Sequence, residues 1–147
     1  MDLEKKPMMT PQRKVILEAL RTVDSHPSAD KVYEMVRKRL PRISLGTVYR
    51  NLEMLSELGE IQKLEFSGTL KRFDGNPTEH YHIRCICCDC IADAPFPPLT
   101  SIDREADGAT GYRILGHRLE FIGLCPECAG NPISPGLRKM RKNTWNL

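Results

Sequence analysis

The sequence predicts an α+β chain of two small domains, an N-terminal winged helix followed by a small α/β domain stapled by a four-cysteine zinc site. Three observations predict it: three capped segments of helical period, a change to period two near Gly59, and two Cys-x-x-Cys knuckles in the second half. At 147 residues each half sits near the lower limit for a self-sufficient core, so a staple is expected.

Thr10 is a good N-cap with Pro11 at the first helical position, and Val15, Ile16, Leu17, Leu20 and Val23 follow at helical spacing. Ser28 caps a second helix carrying Val32, Tyr33, Val36 and Leu40, and Pro41 marks its end. Ser44 caps a third, with Leu45, Val48, Leu52, Leu55 and Leu58 as the inward stripe and Gly59 as the left-handed stop. Thr47, Tyr49, Arg50 and Asn51 then face outward. Those residue types suit base edges, thymine methyls and phosphates, although exposed helices also carry them without touching DNA. Ile61 to Phe66 and Leu70 to Phe73 flank the turn residues Ser67 and Gly68 and complete a hairpin.

The expected domains are 1–75, a hinge at 76–78 after the breaker cluster Gly75-Asn76-Pro77, a second domain at 79–130, and a basic tail at 131–147. The tail holds Arg138, Lys139, Arg141 and Lys142 and reads as mobile or only partly docked. In the second domain His80 to Arg84, Ile91 to Ala94, Tyr112 to Leu115 and Arg118 to Leu124 read as short strands, and Leu99 to Ala109 as a helix.

Composition excludes a membrane span, since no apolar run approaches ~18 residues. The segment Met1 to Thr10 lacks the features of a secretory signal, so a cytoplasmic protein is expected. Net charge is +3; residues 1 to 75 hold 14 Lys and Arg against 11 Asp and Glu, and the remainder 8 against 8. That small excess is a weak pointer to nucleic acid.

Cys125-Pro-Glu-Cys128 is one zinc knuckle. The other lies in Cys85-Ile-Cys-Cys-Asp-Cys90, where Cys85 with Cys88 and Cys87 with Cys90 both have the required gap, and spacing does not choose between them. His80 and His82 share one face of a strand, with Tyr81 on the other. Such a pair can chelate a metal, and Asp93, Asp74 and His26 are candidates to join it. Three imidazoles and two carboxylates would suit iron(II) or manganese(II). The same donors could instead serve a mononuclear iron enzyme.

Thr10-Pro-Gln-Arg13, His26-Pro-Ser-Ala-Asp30, Ile43-Ser-Leu-Gly-Thr-Val-Tyr-Arg-Asn-Leu52, Arg72-Phe-Asp74, His80-Tyr-His82 with Cys85-x-x-Cys88, and Gly123-Leu-Cys-Pro-Glu-Cys128 together resemble the ferric uptake regulator (Fur) family, in order, from about residue 8 to 128. The resemblance implies a homodimeric, metal-dependent repressor with an N-terminal DNA-binding domain and a C-terminal dimerisation domain. Its partner is double-stranded operator DNA carrying an inverted repeat; no membrane and no small-molecule substrate is expected. It also implies a structural zinc on Cys85, Cys88, Cys125 and Cys128, and a regulatory iron(II) or manganese(II) on His26, Asp74, His80, His82 and Asp93. Tyr49, Thr47 and Arg50 are implied in DNA contact, with Arg13 or Lys14 at the backbone or minor groove. Aspartate at position 93 resembles the peroxide-sensing branch, in which a ligand histidine, His26 or His80, takes up oxygen; the alternative is a regulator of metal supply. The family's additional metal site looks dismantled: its histidine corresponds to His117, but its partners to Glu79, Tyr81 and Thr100. Cys87 and Cys90 depart from the family pattern and are read as an added thiol sensor or spectators.

Overall fold

The structure, a computed structural model, describes residues 7–65 and 70–131. The hairpin turn at Ser67 and Gly68 and the basic tail from 132 onward lie outside the described residues. The chain divides into two compact units, Met1–Thr78 and Glu79–Leu147.

In the first unit α1 spans Pro11–Arg21, with the Arg13 N–H donating to Thr10 Oγ1 at 3.2 Å. α2 spans Ala29–Val36, and Ser28 takes the N-cap place without a side-chain cap bond. This helix ends earlier than Pro41: the N–H groups of Arg39 and Leu40 both turn back to the Val36 carbonyl, at 3.0 and 2.9 Å. α3 spans Leu45–Glu57, with Ser44 Oγ accepting the Thr47 N–H at 3.1 Å. Its end is a Schellman motif, in which Glu60 N–H reaches the Leu55 carbonyl and Gly59 N–H the Ser56 carbonyl, both at 3.0 Å. Gly59 holds φ 72°, the left-handed value that a side chain would disfavour.

Val15, Ile16, Leu17 and Leu20 of α1, Val32 and Val36 of α2, and Val48, Leu52 and Leu55 of α3 close over Ile43, Ile61 and Phe73. Burying each such side chain is worth roughly 1.5–3 kcal/mol. Leu45, expected inward, is instead 41% exposed, because the first turn of α3 extends past the body of the core. β1 (Gln62–Leu64) and β2 (Arg72–Asp74) pair antiparallel, with Lys63 opposite Phe73. Asn76 and Thr78 belong to this unit: the Gln62 side-chain amide donates to both their carbonyls, at 3.1 and 2.7 Å.

The second unit holds β3 (His82–Cys85), β4 (Ile91–Asp93), α4 (Ser101–Thr110), β5 (Glu120–Gly123) and a single turn of helix, α5 (Pro126–Ala129). The sheet order is β4-β3-β5, β3 antiparallel to β4 and parallel to β5. The expected strand at Tyr112 to Leu115 does not form. The Ile114 N–H donates to an Asp107 carboxylate oxygen at 2.7 Å and the Tyr112 N–H to Thr110 Oγ1 at 3.3 Å, so this backbone is satisfied by the end of α4 and not by a neighbouring strand. The turn at α5 was absent from the sequence expectation, although Pro126 just after Cys125 is a start signal.

Among the described residues this unit buries few apolar side chains, Tyr81, Cys85, Ile91 and Ala94, while α4 buries none. Phe96, Leu99, Ile102, Phe121 and Ile122 are exposed in the single chain. Among the described residues no helix is long and apolar enough to cross a membrane.

Candidate metal centres and nucleic-acid interface

In the first unit the carboxylate of Asp74 is aimed by its own turn. One oxygen, Oδ1, accepts the Asn76 N–H at 2.9 Å, and the other, Oδ2, lies 3.2 Å from His26 Nε2; both residues are buried. Two backbone features hold this pair. The Phe73 N–H donates to the Pro27 carbonyl at 3.0 Å, stitching the His26-Pro27 turn to β2. Gly75 packs against α1, where an added Cβ would meet the Leu20 carbonyl at 3.0 Å. His26 itself holds φ 51°. A left-handed residue before proline costs about 1–3 kcal/mol and persists only where its surroundings over-determine it.

In the second unit β3 and β4 bring His82 opposite Asp93. Asp93 Oδ1 lies 3.1 Å from His80 Nε2 and 3.5 Å from His82 Nε2, and the two imidazole centroids are 4.4 Å apart. Period-two alternation turns Tyr81 to the buried side, where its carbonyl accepts the Ala94 N–H at 2.8 Å. The result is two ring nitrogens converging on one carboxylate oxygen, a donor set that could hold a first-row divalent metal.

Tyr81 also fixes His117. The Tyr81 hydroxyl bonds His117 Nε2 and accepts the Leu99 N–H at 2.9 Å, while His117 Nδ1 lies 2.7 Å from Asp103 Oδ1. Both ring nitrogens of His117 are therefore engaged in tying β5's approach to α4.

The cysteines converge because of the parallel β3–β5 pairing. Cys85 faces Gly123 in register, and the Ile86 N–H donates to the Gly123 carbonyl at 3.0 Å, so the 85–90 loop and the 125–128 turn leave the sheet side by side. The loop is closed by Cys85 N–H to the Cys90 carbonyl and Asp89 N–H to the Cys85 carbonyl, both 2.9 Å, with Asp89 left-handed at φ 60°. The sulfurs of Cys85, Cys88, Cys90 and Cys125 all lie within 4.8 Å of one another. The thiols neighbouring Cys128 are those of Cys87, Cys125, Cys88 and Cys85. No disulfide forms among the six.

Cys88 Sγ and Cys125 Sγ are 3.8 Å apart. Two thiolates bound at ~2.3 Å to one tetrahedral zinc are separated by about 3.8 Å, so the pair already has the edge length of such a site. Burial raises the Cys85 thiol, but backbone N–H groups of Cys125, Cys88 and Cys87 outweigh it and bring it down to about 6. Cys90 is pushed up to about 12 by burial and by the neighbouring thiols of Cys88 and Cys125. Cys128 is raised too, mainly by its bonds to Cys87 and Cys125. Sulfurs this crowded cannot all ionise unless a cation neutralises them.

On α3 the hydroxyls of Ser44 and Thr47 are 2.9 Å apart, and an Arg50 guanidinium nitrogen donates to Thr47 Oγ1 at 3.2 Å. Tyr49 is 38% exposed. Asn51 is less available: its amide donates to the Thr47 carbonyl, and its oxygen accepts Arg13 Nε–H at 3.0 Å. Arg13 thus braces α1 against α3, whereas Lys14 is exposed. Lys71, which sequence reasoning did not single out, puts its ammonium 5.8 Å from the centre of the Tyr49 ring. Its signal was present only as a lysine preceding β2.

The family model for the ferric uptake regulator family matches residues 4–122. The chain is 38% identical over 120 residues to the peroxide-responsive repressor PerR of Staphylococcus aureus (strain USA300), covering 82% of this chain and 81% of that one. The structure resembles the Campylobacter jejuni peroxide stress regulator, with TM-score 0.69 and 29% identity over 80% of this chain and 89% of that one. The Helicobacter pylori ferric uptake regulator Fur shares the fold, with TM-score 0.73 and 24% identity over 84% and 83% of the two chains.

Proposed function

The chain belongs to the ferric uptake regulator family, and from that membership and the two donor clusters we propose that it is a homodimeric, metal-dependent repressor that senses peroxide. The observation carrying this reading is the Asp93 carboxylate shared by His80 and His82 in the second unit, together with a His26–Asp74 pair held within the first. We take these five residues as one regulatory ligand set: a metal binding both pairs ties the DNA-reading unit to the second unit. Ligands held this way favour whichever arrangement lets all five bind, and only by the difference in affinity between arrangements.

The first unit then acts as the winged helix. Tyr49, Thr47 and Arg50 meet base edges and phosphates, Lys14 and Lys71 supply flanking charge, and Arg13 orients α3 as much as it contacts DNA. The exposed apolar side chains of the second unit, Phe121, Ile122, Leu99 and Ile102, are what a second copy would cover. Two recognition helices related by a dyad read an inverted repeat. Cys85, Cys88, Cys125 and Cys128 hold a structural zinc that replaces the missing apolar core.

Iron(II) supplies one-electron reduction of peroxide beside its ligands, and manganese(II) does not. His26 and His80 are the residues that would be oxidised, as the resemblance to peroxide sensors implies; each has its Nε2 beside a carboxylate, and a ring that gains oxygen would lose that donor geometry. Loss of either frees one unit from the other and DNA is released.

The test loads purified dimer with iron(II) or manganese(II) and measures operator binding before and after peroxide, with peptide mass spectrometry on the same samples. Loss of DNA binding only in the iron-loaded protein, with one oxygen gained on the His26 or His80 peptide, is expected. Binding that follows metal supply alone, with no histidine modified, would make the protein a metal-uptake regulator.

A further inference from the structure

The resemblance assigns the fourth zinc ligand to Cys128, whereas the structure gathers a different four. The sulfurs of Cys85, Cys88, Cys90 and Cys125 lie within 4.8 Å of one another, and Cys128 is not a member of that group. The backbone itself puts Cys90 there. The β3–β4 pairing sets His82 opposite Asp93, Ile83 opposite Ala92 and Arg84 opposite Ile91. The Cys85 N–H, donating to the Cys90 carbonyl at 2.9 Å, carries this register one step further, to Cys85 opposite Cys90. Residues directly opposite in an antiparallel pair share a face, with Cβ atoms about 4.5–5.5 Å apart.

The turn between the two is fixed as well. The Asp89 N–H donates to the Cys85 carbonyl at 2.9 Å, with Asp89 left-handed at φ 60°. Arg84 ties that turn to β5: its Nε donates to Glu120 Oε1 at 3.0 Å, and its Nη1 lies 3.5 Å from Asp89 Oδ1. Cys88 Sγ, 3.8 Å from Cys125 Sγ, links the turn to the segment after β5. Cys128 follows Cys125 by the two-residue gap of a zinc knuckle and lies in the single turn of α5.

We propose that one structural zinc has five candidate thiols for its four places: Cys85, Cys88 and Cys125 are fixed ligands, and the fourth place is shared by Cys90, which holds it in the arrangement above, and Cys128, which replaces it. The inference rests on the thiolate-zinc reading above and concerns only the identity of the fourth ligand. In the exchange one sulfur–zinc bond forms as another breaks, and the proton leaving the incoming thiol passes to the departing thiolate. The ion keeps four thiolates, so neither the charge of the site nor any oxidation state changes. Such a site keeps its zinc when either outer thiol is lost, and α5 can leave the metal without releasing it.

The test puts cobalt(II) in place of zinc in the full-length protein under reducing conditions. Each thiolate adds to the sulfur-to-cobalt charge-transfer absorption, the d–d bands report a tetrahedral site, and competition with a chelator gives the affinity. Cys128→Ser and Cys90→Ser should each keep the four-thiolate spectrum of the wild type. The Cys90→Ser/Cys128→Ser double variant should lose one thiolate's share of the charge-transfer band, and its affinity should fall by more than the roughly 10–100-fold that loss of a supporting contact brings. Cys87→Ser/Cys128→Ser should keep four thiolates; a loss there would make Cys87 the substitute and overturn the proposal. A three-thiolate spectrum in Cys128→Ser alone overturns it too, and leaves the zinc on Cys85, Cys88, Cys125 and Cys128. A three-thiolate spectrum in Cys90→Ser alone makes Cys90 a fixed ligand and overturns the exchange. A wild type without a tetrahedral thiolate spectrum overturns the zinc reading itself.

Discussion

The helices of the first unit and the sheet of the second solve the same problem of small size in opposite ways. α1, α2 and α3 turn Ile16, Leu20, Val32, Val36, Val48, Leu52 and Leu55 inward until none is exposed to solvent. α4 buries nothing, and Phe121 and Ile122 of β5 remain at the surface of the chain. The first unit is held by its own hydrophobic effect. The second packs less of its own surface away, and the reading proposed above gives it two further supports, a metal at its cysteines and a second copy on its apolar face. In the repressor proposed above, this division would keep the DNA-reading part folded whatever the metal does, while the metal-holding part would be conditional.

The comparison breaks most visibly on metal removal. Chelation of the thiolate-bound ion should cost the second unit on the order of 10 kcal/mol, the scale of structural zinc in small domains. Hydrogen exchange should show β3, β4 and β5 losing protection while α1 to α3 keep theirs; equal loss in both units would show that the first unit is not self-sufficient. Next in size is the core of the first unit. Phe73→Ala should destabilise that unit by about 3–5 kcal/mol, and Leu52→Ala by about 2–5 kcal/mol, read from the midpoint of urea unfolding.

Phe121→Asp probes the other side of the contrast. It should weaken self-association by roughly 100-fold, about 2.7 kcal/mol, in sedimentation experiments. The chain's own helical content should not change, because the side chain is 37% exposed in the single chain. A variant that remains fully dimeric would move the interface elsewhere. The smallest effect belongs to the helix starts. Ser44→Ala removes the acceptor for the Thr47 N–H and should cost about 1 kcal/mol in thermal or urea unfolding. Ser28→Ala should cost less, because Ser28 makes no side-chain cap bond.

Local chemistry made the first unit legible in the sequence. Thr10, Ser44 and Gly59 are start and stop signals whose effect is complete within one helical turn, and the inward stripe of α3 followed from its period. Leu45 was misplaced because periodicity gives the face of a residue but not whether the core extends that far along the helix. In the second unit the strand expected at Tyr112 to Leu115 failed for a related reason. Among the described residues its β-like composition has no partner strand, and Tyr112 and Leu115 are 75% and 92% exposed.

The sequence by itself determined the donors: His-x-His on one face of a strand, the two cysteine knuckles, and the motif order that resembles the family. These rest on residue identity and on spacing of a few positions, which backbone geometry converts directly into direction. Only the tertiary structure decided which donors are neighbours. The parallel β3–β5 register brings Cys85 beside Gly123 and so unites two sulfur groups some 40 residues apart. The His26-Pro27 turn meets Asp74 only because Phe73 bonds the Pro27 carbonyl and Gly75 lies flush against α1. It was packing, too, that committed both nitrogens of His117 to Tyr81 and Asp103, and that put the sulfurs of Cys85, Cys88, Cys90 and Cys125 within 4.8 Å of one another. Contacts between distant segments depend on the whole free-energy balance of packing, and no short stretch of sequence encodes that balance.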